Sequence, residues 1–295
     1  MKIIVPKYYA DFACIASQCR HSCCIGWEID IDSKTAKYYK KIKGDFGKRL
    51  KKSIKNNSFI LDANERCPFL NKENLCDIIT TLGEDALCQI CADHPRFKNY
   101  FENRIEIGLG LCCEEAARII LNYPEKISLI ELENDGNTSA DTEEADFFKL
   151  RQIVFDILQD REFSVNERID NLCDFFDITI PQIDWLSLYL ALERLDEHWG
   201  ELLIKSKNIT DFKPQNELLK EQLIVYFIYR HLADGLIDGR IKERIAFSIL
   251  SLNMILKIAS VENEDIFEIA RMYSSEIEYS DENIDIILDN LKMLP

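Results

Sequence analysis

Apolar residues recur at helical spacing through most of the second half of this chain. After the capping box Ser164-Val-Asn-Glu167, Ile169, Leu172, Cys173 and Phe176 fall on one helix face. Pro181 suits the start of another helix, and 215–234 and 240–260 continue the pattern. Between Asn283 and Leu294, the residues Ile284, Ile287, Leu288 and Leu291 form a single stripe. There is no internal repeat. These segments predict an α-helical bundle whose stripes are its core.

The first half is less regular. Residues 1–32 read as an irregular lead. In 33–55, Ser33 is placed to cap a helix, and Tyr38, Tyr39, Ile42, Phe46, Leu50 and Ile54 recur near helical spacing. Gly44 and Gly47 divide that stretch into two short helices. A short helix is expected near 83–93, a strand at Arg104–Leu109, and a helix from Glu114, whose acidic start suits the helix dipole. Residues 133–144, ENDGNTSADTEE, hold Ala140 as their one apolar residue and read as a linker. The expectation is a mainly α chain. A cysteine-rich, metal-binding N-terminal domain with little β spans 1–132, and an acidic α-helical bundle domain spans 145–295.

Composition narrows the function classes. Only 10 Gly and 7 Pro in 295 residues disfavour a glycine-rich nucleotide fold and an all-β architecture. A net charge of −16 disfavours general nucleic-acid binding through phosphates. The charge is uneven, at +4 over residues 1–113 and −20 beyond. The acidic part can attract lysine-bearing protein surfaces, or simply keep a helical domain soluble. Ten basic residues from Lys34 to Lys55 face one acid, Asp45. They form either a solvated helix face or a docking surface for an acidic partner or an anionic membrane face. No run of about twenty apolar residues is present for a membrane span; the longest, Leu223–Tyr229, is one to two helical turns. The opening MKIIVPKYYADFACIAS lacks a signal-peptide stretch, so a cytoplasmic protein with reduced thiols is expected.

Ten of the eleven cysteines fall in residues 1–113. They run Cys14-x4-Cys19-x3-Cys23-Cys24, Cys67-Pro-Phe-Leu-x5-Cys76, Cys88-x2-Cys91 and Cys112-Cys113. Thiolates are soft, charged ligands, and clustered thiols in a reducing compartment point to a metal or an iron–sulfur cluster before disulfides. Spacing leaves zinc and iron–sulfur open. Only Cys88/Cys91 has the zinc-knuckle interval, and His21 and His94 lie near enough in sequence to serve as zinc ligands. The C-x3-C-x2-C and ferredoxin spacings are absent. Cys173 reads as a small buried apolar residue, and His198 and His231 as ordinary structural or surface histidines.

Three segments resemble the bacterial flagellin lysine-N-methylases, within a broader group of cysteine-rich zinc- or iron-chelating domains. They are VPKYYADFACIASQCRHSCCIGWEIDID, CPFLNKENLCDIITTLGEDALCQICADHPRF and RIEIGLGLCCEEAARIIL. The likeness covers about residues 3–121, through the cysteines, Trp27, Pro68, Pro95 and Arg96. It implies a cytosolic enzyme that moves a methyl group from S-adenosylmethionine to the ε-amine of flagellin lysines. It also implies an oxygen-sensitive [4Fe–4S] cluster held among Cys14, Cys19, Cys23, Cys24, Cys67, Cys76, Cys88, Cys91 and Cys113. Where the family pattern reads Ser-Cys-Pro, this chain has Cys112-Cys113-Glu114, so Cys113 aligns and Cys112 is an extra thiol. The chain also ends earlier than members of that family. No residue stands out as a catalytic base or donor-binding group, and Gly108-Leu-Gly110 is a lone GxG. The cysteines alone support equally a non-enzymatic zinc- or iron-binding protein or a zinc-stapled interaction module.

Overall fold

A computed structural model describes residues 1–134, 142–262 and 264–292. In chain order it runs β1 (Lys2–Pro6), a 3₁₀ turn, α1 (Ser33–Lys41), α2 (Gly44–Lys52), β2 (Ile54–Lys55), β3 (Ser58–Phe59), α3 (Asp77–Leu82), α4 (Gln89–Asp93), β4 (Arg96–Tyr100), β5 (Arg104–Leu109), α5 (Glu114–Leu121) and β6 (Leu129–Asn134). Helices follow almost without interruption: α6 (Thr142–Leu158), α7 (Val165–Phe176), α8 (Trp185–Ala191), α9 (Glu197–Ser206), α10 (Glu217–His231), α11 (Gly235–Asp238), α12 (Ile241–Ile258), α13 (Ile266–Tyr273), a π-helical turn (Ser274–Glu278) and α14 (Asp281–Asn290). The mainly helical class expected from the periodicity is what the chain adopts.

Two compact units result: Met1–Phe12 together with Phe97–Pro295, and Ala13–Arg96. This division differs from the boundary suggested by composition. The β-branched run Ile3-Ile4-Val5 pairs in parallel with β5 and antiparallel with β6, giving a sheet ordered β4-β5-β1-β6. That pairing sews the first strand into the helical unit and leaves the first twelve residues out of the cysteine-bearing one. The expected linker also shrinks at its ends. Glu133 and Asn134 close β6 and Thr142–Glu144 open α6, while 135–141 lie outside the described residues.

Within the larger unit, α10 and α12 are buried nearly all round. A helix apolar on every face sits at the centre of its bundle. The capping box at Ser164 forms as expected, with Glu167 accepting from the Ser164 amide at 2.8 Å. Two helix starts differ from expectation. Asp32, not Ser33, caps α1, accepting from the Lys34 and Thr35 amides at 3.0 and 2.9 Å. The helix after Pro181 begins at Trp185 under Asp184, whose carboxylate accepts from the Ser187 amide. A carboxylate in extended backbone satisfies orphan amides better than a proline that only presets φ.

Glu106 on β5 is fully buried beneath this bundle and takes both guanidinium nitrogens of Arg151 at 2.6 and 2.7 Å, with Arg104 at 2.5 Å. Truncating one member of such a group leaves uncompensated charge in a low dielectric. Glu106→Ala is therefore expected to lower stability by about 3 kcal/mol in urea unfolding. Lys149→Ala, which removes an exposed pair with Asp146, should stay within about 0.5 kcal/mol of the parent.

Candidate metal centre

The smaller unit brings its cysteines together through turns rather than long elements. In the lead, Gly26 at φ +88° turns the chain so that its amide reaches the Glu65 carbonyl at 3.1 Å. Ile25 bridges Arg66, and the Cys67 amide donates to the Cys24 carbonyl at 2.8 Å. The indole of Trp27 donates to the Cys23 carbonyl at 2.8 Å. These bonds lay the Cys23-Cys24 pair along the Cys67 strand.

From Cys67 the chain doubles back. The Asn71 side chain accepts from the Glu73 and Leu75 amides, Asn74 adopts φ +56°, and Leu70 bridges Cys76. Asn is among the few side chains that tolerate this region and close a turn on themselves. Arg49 of α2 fixes the loop from outside, donating to the Pro68 carbonyl at 2.5 Å and the Asp77 carboxylate at 2.6 Å, with its guanidinium 4.9 Å over the Phe69 ring. Cys76 and Cys88 then cap α3 and α4. The Cys88 and Cys91 sulfurs stand 3.4 Å apart, as one helical turn from a cap dictates for C-x2-C. Asp32 joins this segment to α1 by also accepting from the Gln89 amide at 3.0 Å, and its three amide bonds hold its carboxyl down at about 2.

The buried thiols lie near enough to shift one another's titration. Burial pushes Cys67 up to about 12, and the Cys24, Cys76 and Cys88 sulfurs add to that rise. The Cys23 thiol hydrogen bond holds Cys24 down at about 7, against burial and with help from Ser22 and Arg66. Hydrogen bonding to its partner lowers Cys88 and raises Cys91, as expected when one proton serves two sulfurs. Six of the expected ligands, Cys23, Cys24, Cys67, Cys76, Cys88 and Cys91, thus share one neighbourhood. The donor chemistry fits a soft metal or thiolate cluster. Among the described residues, no three His, Cys, Asp or Glu side chains have closed to ligand spacing.

The other candidates lie apart in role. Cys14 is exposed and its sulfur accepts from the Ala16 amide at 3.4 Å, while Cys19 donates to the His21 carbonyl at 2.9 Å. The His94 ring stacks on Trp27 with centroids 6.4 Å apart, and burial first, then Arg96, lowers it to about 4, so it stays neutral. Cys112 and Cys113 belong to the larger unit. Cys112 meets the Tyr279 hydroxyl at 3.1 Å, and Cys113 is the N-cap of α5. Cys173 packs half-buried on the bundle core, as a small apolar residue does.

One group escaped the sequence reading. His231 is not isolated: its Nε2 lies 2.7 Å from Glu278 on the π-helical turn, and Arg230 and Tyr226 converge on the same carboxylate at 3.2 and 3.0 Å. The carboxylate only accepts, so Nε2 carries the proton. Tyr226 also accepts from the Leu111 amide at 3.2 Å, fixing the backbone just before Cys112-Cys113. The spacing Tyr226-x3-Arg230 puts two of these groups on one helix face, but Glu278 is distant in sequence.

No protein-family model and no solved structure matches this chain. Fold and thiols together define a mainly helical protein with a small thiol-lined unit. Over 136 residues it is 33% identical to the lysine-N-methylases of Salmonella choleraesuis strain SC-B67 and Salmonella typhimurium strain LT2, covering 43% of this chain and 34% of each relative. It is 32% identical over 136 residues to the flagellar biosynthetic protein FliU of Salmonella muenchen, covering 43% of this chain and 80% of that protein. The chain belongs to the flagellin lysine-N-methylase family. Its match spans about a third of the length of the two lysine-N-methylases.

Burial outweighs the Glu278 hydrogen bond and lowers His231 below the ordinary 6.5. An unfolded imidazole takes up protons that the folded one refuses, so protons favour unfolding. Stability should therefore fall as pH drops below about 6.5. His231→Gln should remove part of that fall, read as a smaller difference between urea unfolding curves at about pH 7 and about pH 5.5.

Proposed function

We propose that this chain is a cytoplasmic protein-lysine N-methyltransferase acting on flagellin, with S-adenosylmethionine as methyl donor and a cysteine-ligated [4Fe–4S] cluster. Membership of the lysine-N-methylase family carries the reading, and the six gathered thiols support its cofactor. Among the described residues, no helix is long and apolar enough to cross a membrane.

Lysine is protonated at neutral pH, with an ordinary pKa of about 10.4, and must lose that proton before its nitrogen attacks the methyl carbon. The carbon–sulfur bond then breaks, and its electron pair stays on the leaving sulfur. The cluster would supply redox-active iron. Four thiolates would hold it, drawn from Cys23, Cys24, Cys67, Cys76, Cys88 and Cys91, with Cys14, Cys19 and Cys113 as the further family candidates. This chain's own contribution is placement. Asp32 fixes the Cys88–Cys91 turn, Arg49 the Cys67–Cys76 loop, and Trp27 the Cys23 carbonyl. Placement matters because transfer needs amine, carbon and leaving sulfur in line.

Anaerobic purification should yield about four iron and four sulfide per chain, with a broad absorbance near ~400 nm that bleaches in air. Incubation with flagellin and radiolabelled S-adenosylmethionine should label flagellin lysines. Cys67→Ser and Cys88→Ser should each lose most of the iron and the labelling, while Cys173→Ser keeps both. Stoichiometric zinc in a colourless protein without labelling would instead establish a zinc-stapled module.

A further inference from the structure

Ten basic side chains lie between Lys34 and Lys55, on α1, α2 and the turn into β2, and all of them are exposed. Among the described residues, only Lys48, with Asp45 at 2.8 Å, and Arg49, with Asp77 at 2.6 Å, have an acidic partner. The other eight are lysines with no counter-charge in a chain whose net charge is −16. The apolar sides of these helices are already used. Tyr39 and Leu50 are buried in the core of the smaller unit, with Ala36, Ile42 and Phe46 packed against it. What is left outward is a lysine face with Tyr38 as its one exposed large side chain of apolar character.

The geometry points to an anionic lipid surface as the partner of this face, held by charge alone. Protein interfaces favour Tyr, Trp and Arg at their centres and are depleted in Lys, and the one arginine here is already engaged with Asp77 and the Pro68 carbonyl. Binding of single-stranded nucleic acid draws on stacked aromatics, of which Tyr38 is the only exposed candidate. A lipid surface asks for neither. It presents a plane of mobile headgroup charge to which flexible lysines adapt, and clusters of about four to eight basic residues suffice. Screening over about 10 Å confines the attraction to side chains at the surface. Because both apolar sides face inward, the contact does not insert and is labile to salt. This inference stands apart from the methylase reading and does not rest on it.

The test is co-sedimentation of the full chain, purified anaerobically, with phosphatidylcholine vesicles with and without phosphatidylglycerol, at low and high salt. Binding is expected only with phosphatidylglycerol and should be abolished by salt. The variant K40Q/K41Q/K51Q/K52Q should bind about a hundredfold more weakly or worse, with melting temperature and iron content unchanged, since all four side chains are exposed and unpaired among the described residues. Equal binding to neutral vesicles, no binding to phosphatidylglycerol, or an unaffected variant would overturn the inference. So would tighter capture by polyglutamate or duplex DNA than by vesicles, either of which would reassign the face to an acidic protein or to nucleic acid.

Discussion

The smaller unit depends on a small apolar core into which two of its thiols are packed. Its buried core comprises eleven residues within Ala13–Arg96, and two of them are Cys67 and Cys88. Its strands are two residues long and its helices nine at most. A domain of this size buries a modest fraction of its surface, and small domains commonly add a metal or cross-links to make up the difference. Here the residues that complete the core are also the best soft ligands in the chain. Stability and chemistry therefore fall on the same side chains, and polar contacts such as Asp32 to Gln89 and Arg49 to Pro68 keep them in place.

The larger unit solves the opposite problem. Its core is ample, and what it must manage is charge within it. Among the described residues five carboxylates are buried there: Glu106 meets Arg151 and Arg104, Glu221 meets Arg161 and Arg168, Glu278 meets Arg230 with His231, Glu115 meets Arg118, and Glu276 accepts from the Leu195 and Asp196 amides. The pairs of Glu106 with Arg151, Glu221 with Arg161 and Arg168, and Glu278 with Arg230 join segments distant in sequence, so each links the register of one element to another. An unpaired partner would be costly, while the complete group is close to neutral in stability. Arg230 adds ring contacts, with its guanidinium 5.0 Å from the Phe97 centroid and 4.7 Å from that of Tyr279.

Local features were the legible ones. The capping box at Ser164, the strand Arg104–Leu109 and the helix from Glu114 depend on neighbours within a few residues, and all three form as the pattern implies. Gly44 at φ +76° does end one helix and start the next. Gly47, expected to break the segment too, instead lies inside α2, where a Cβ would come within 2.2 Å of the Ile42 carbonyl oxygen. The short helix expected near 83–93 divides into a 3₁₀ turn at Glu84–Ala86 and α4 at Gln89–Asp93. Non-local features were hidden. The pairing of β1 with β5 and β6 joins residues more than a hundred positions apart, so Ile3-Ile4-Val5 reads in isolation as part of an irregular lead. The charges on Glu131 and Glu133 likewise masked β6, although that strand, exposed along most of its length, takes them without cost. Cysteine spacing showed that thiols would gather, whereas which six do so depends on the turns at Gly26 and Asn74.

Charge follows the same logic as the thiols. Residues 34–55 carry a net charge of +9, more than the +4 of the first 113 residues as a whole, and they do so on helices whose apolar sides are committed to a small core. A lysine near such a core can bury its stem but must keep its ammonium in water. Eight uncompensated ammonium groups on about twenty residues repel one another, which costs stability in a unit with little to spare. Folding alone would favour interspersed acids, as α6 has with Asp146 beside Lys149 and α10 with Glu217 beside Lys220. The absence of such pairs from this one face, among the described residues, is therefore a cost that an external anionic surface would relieve.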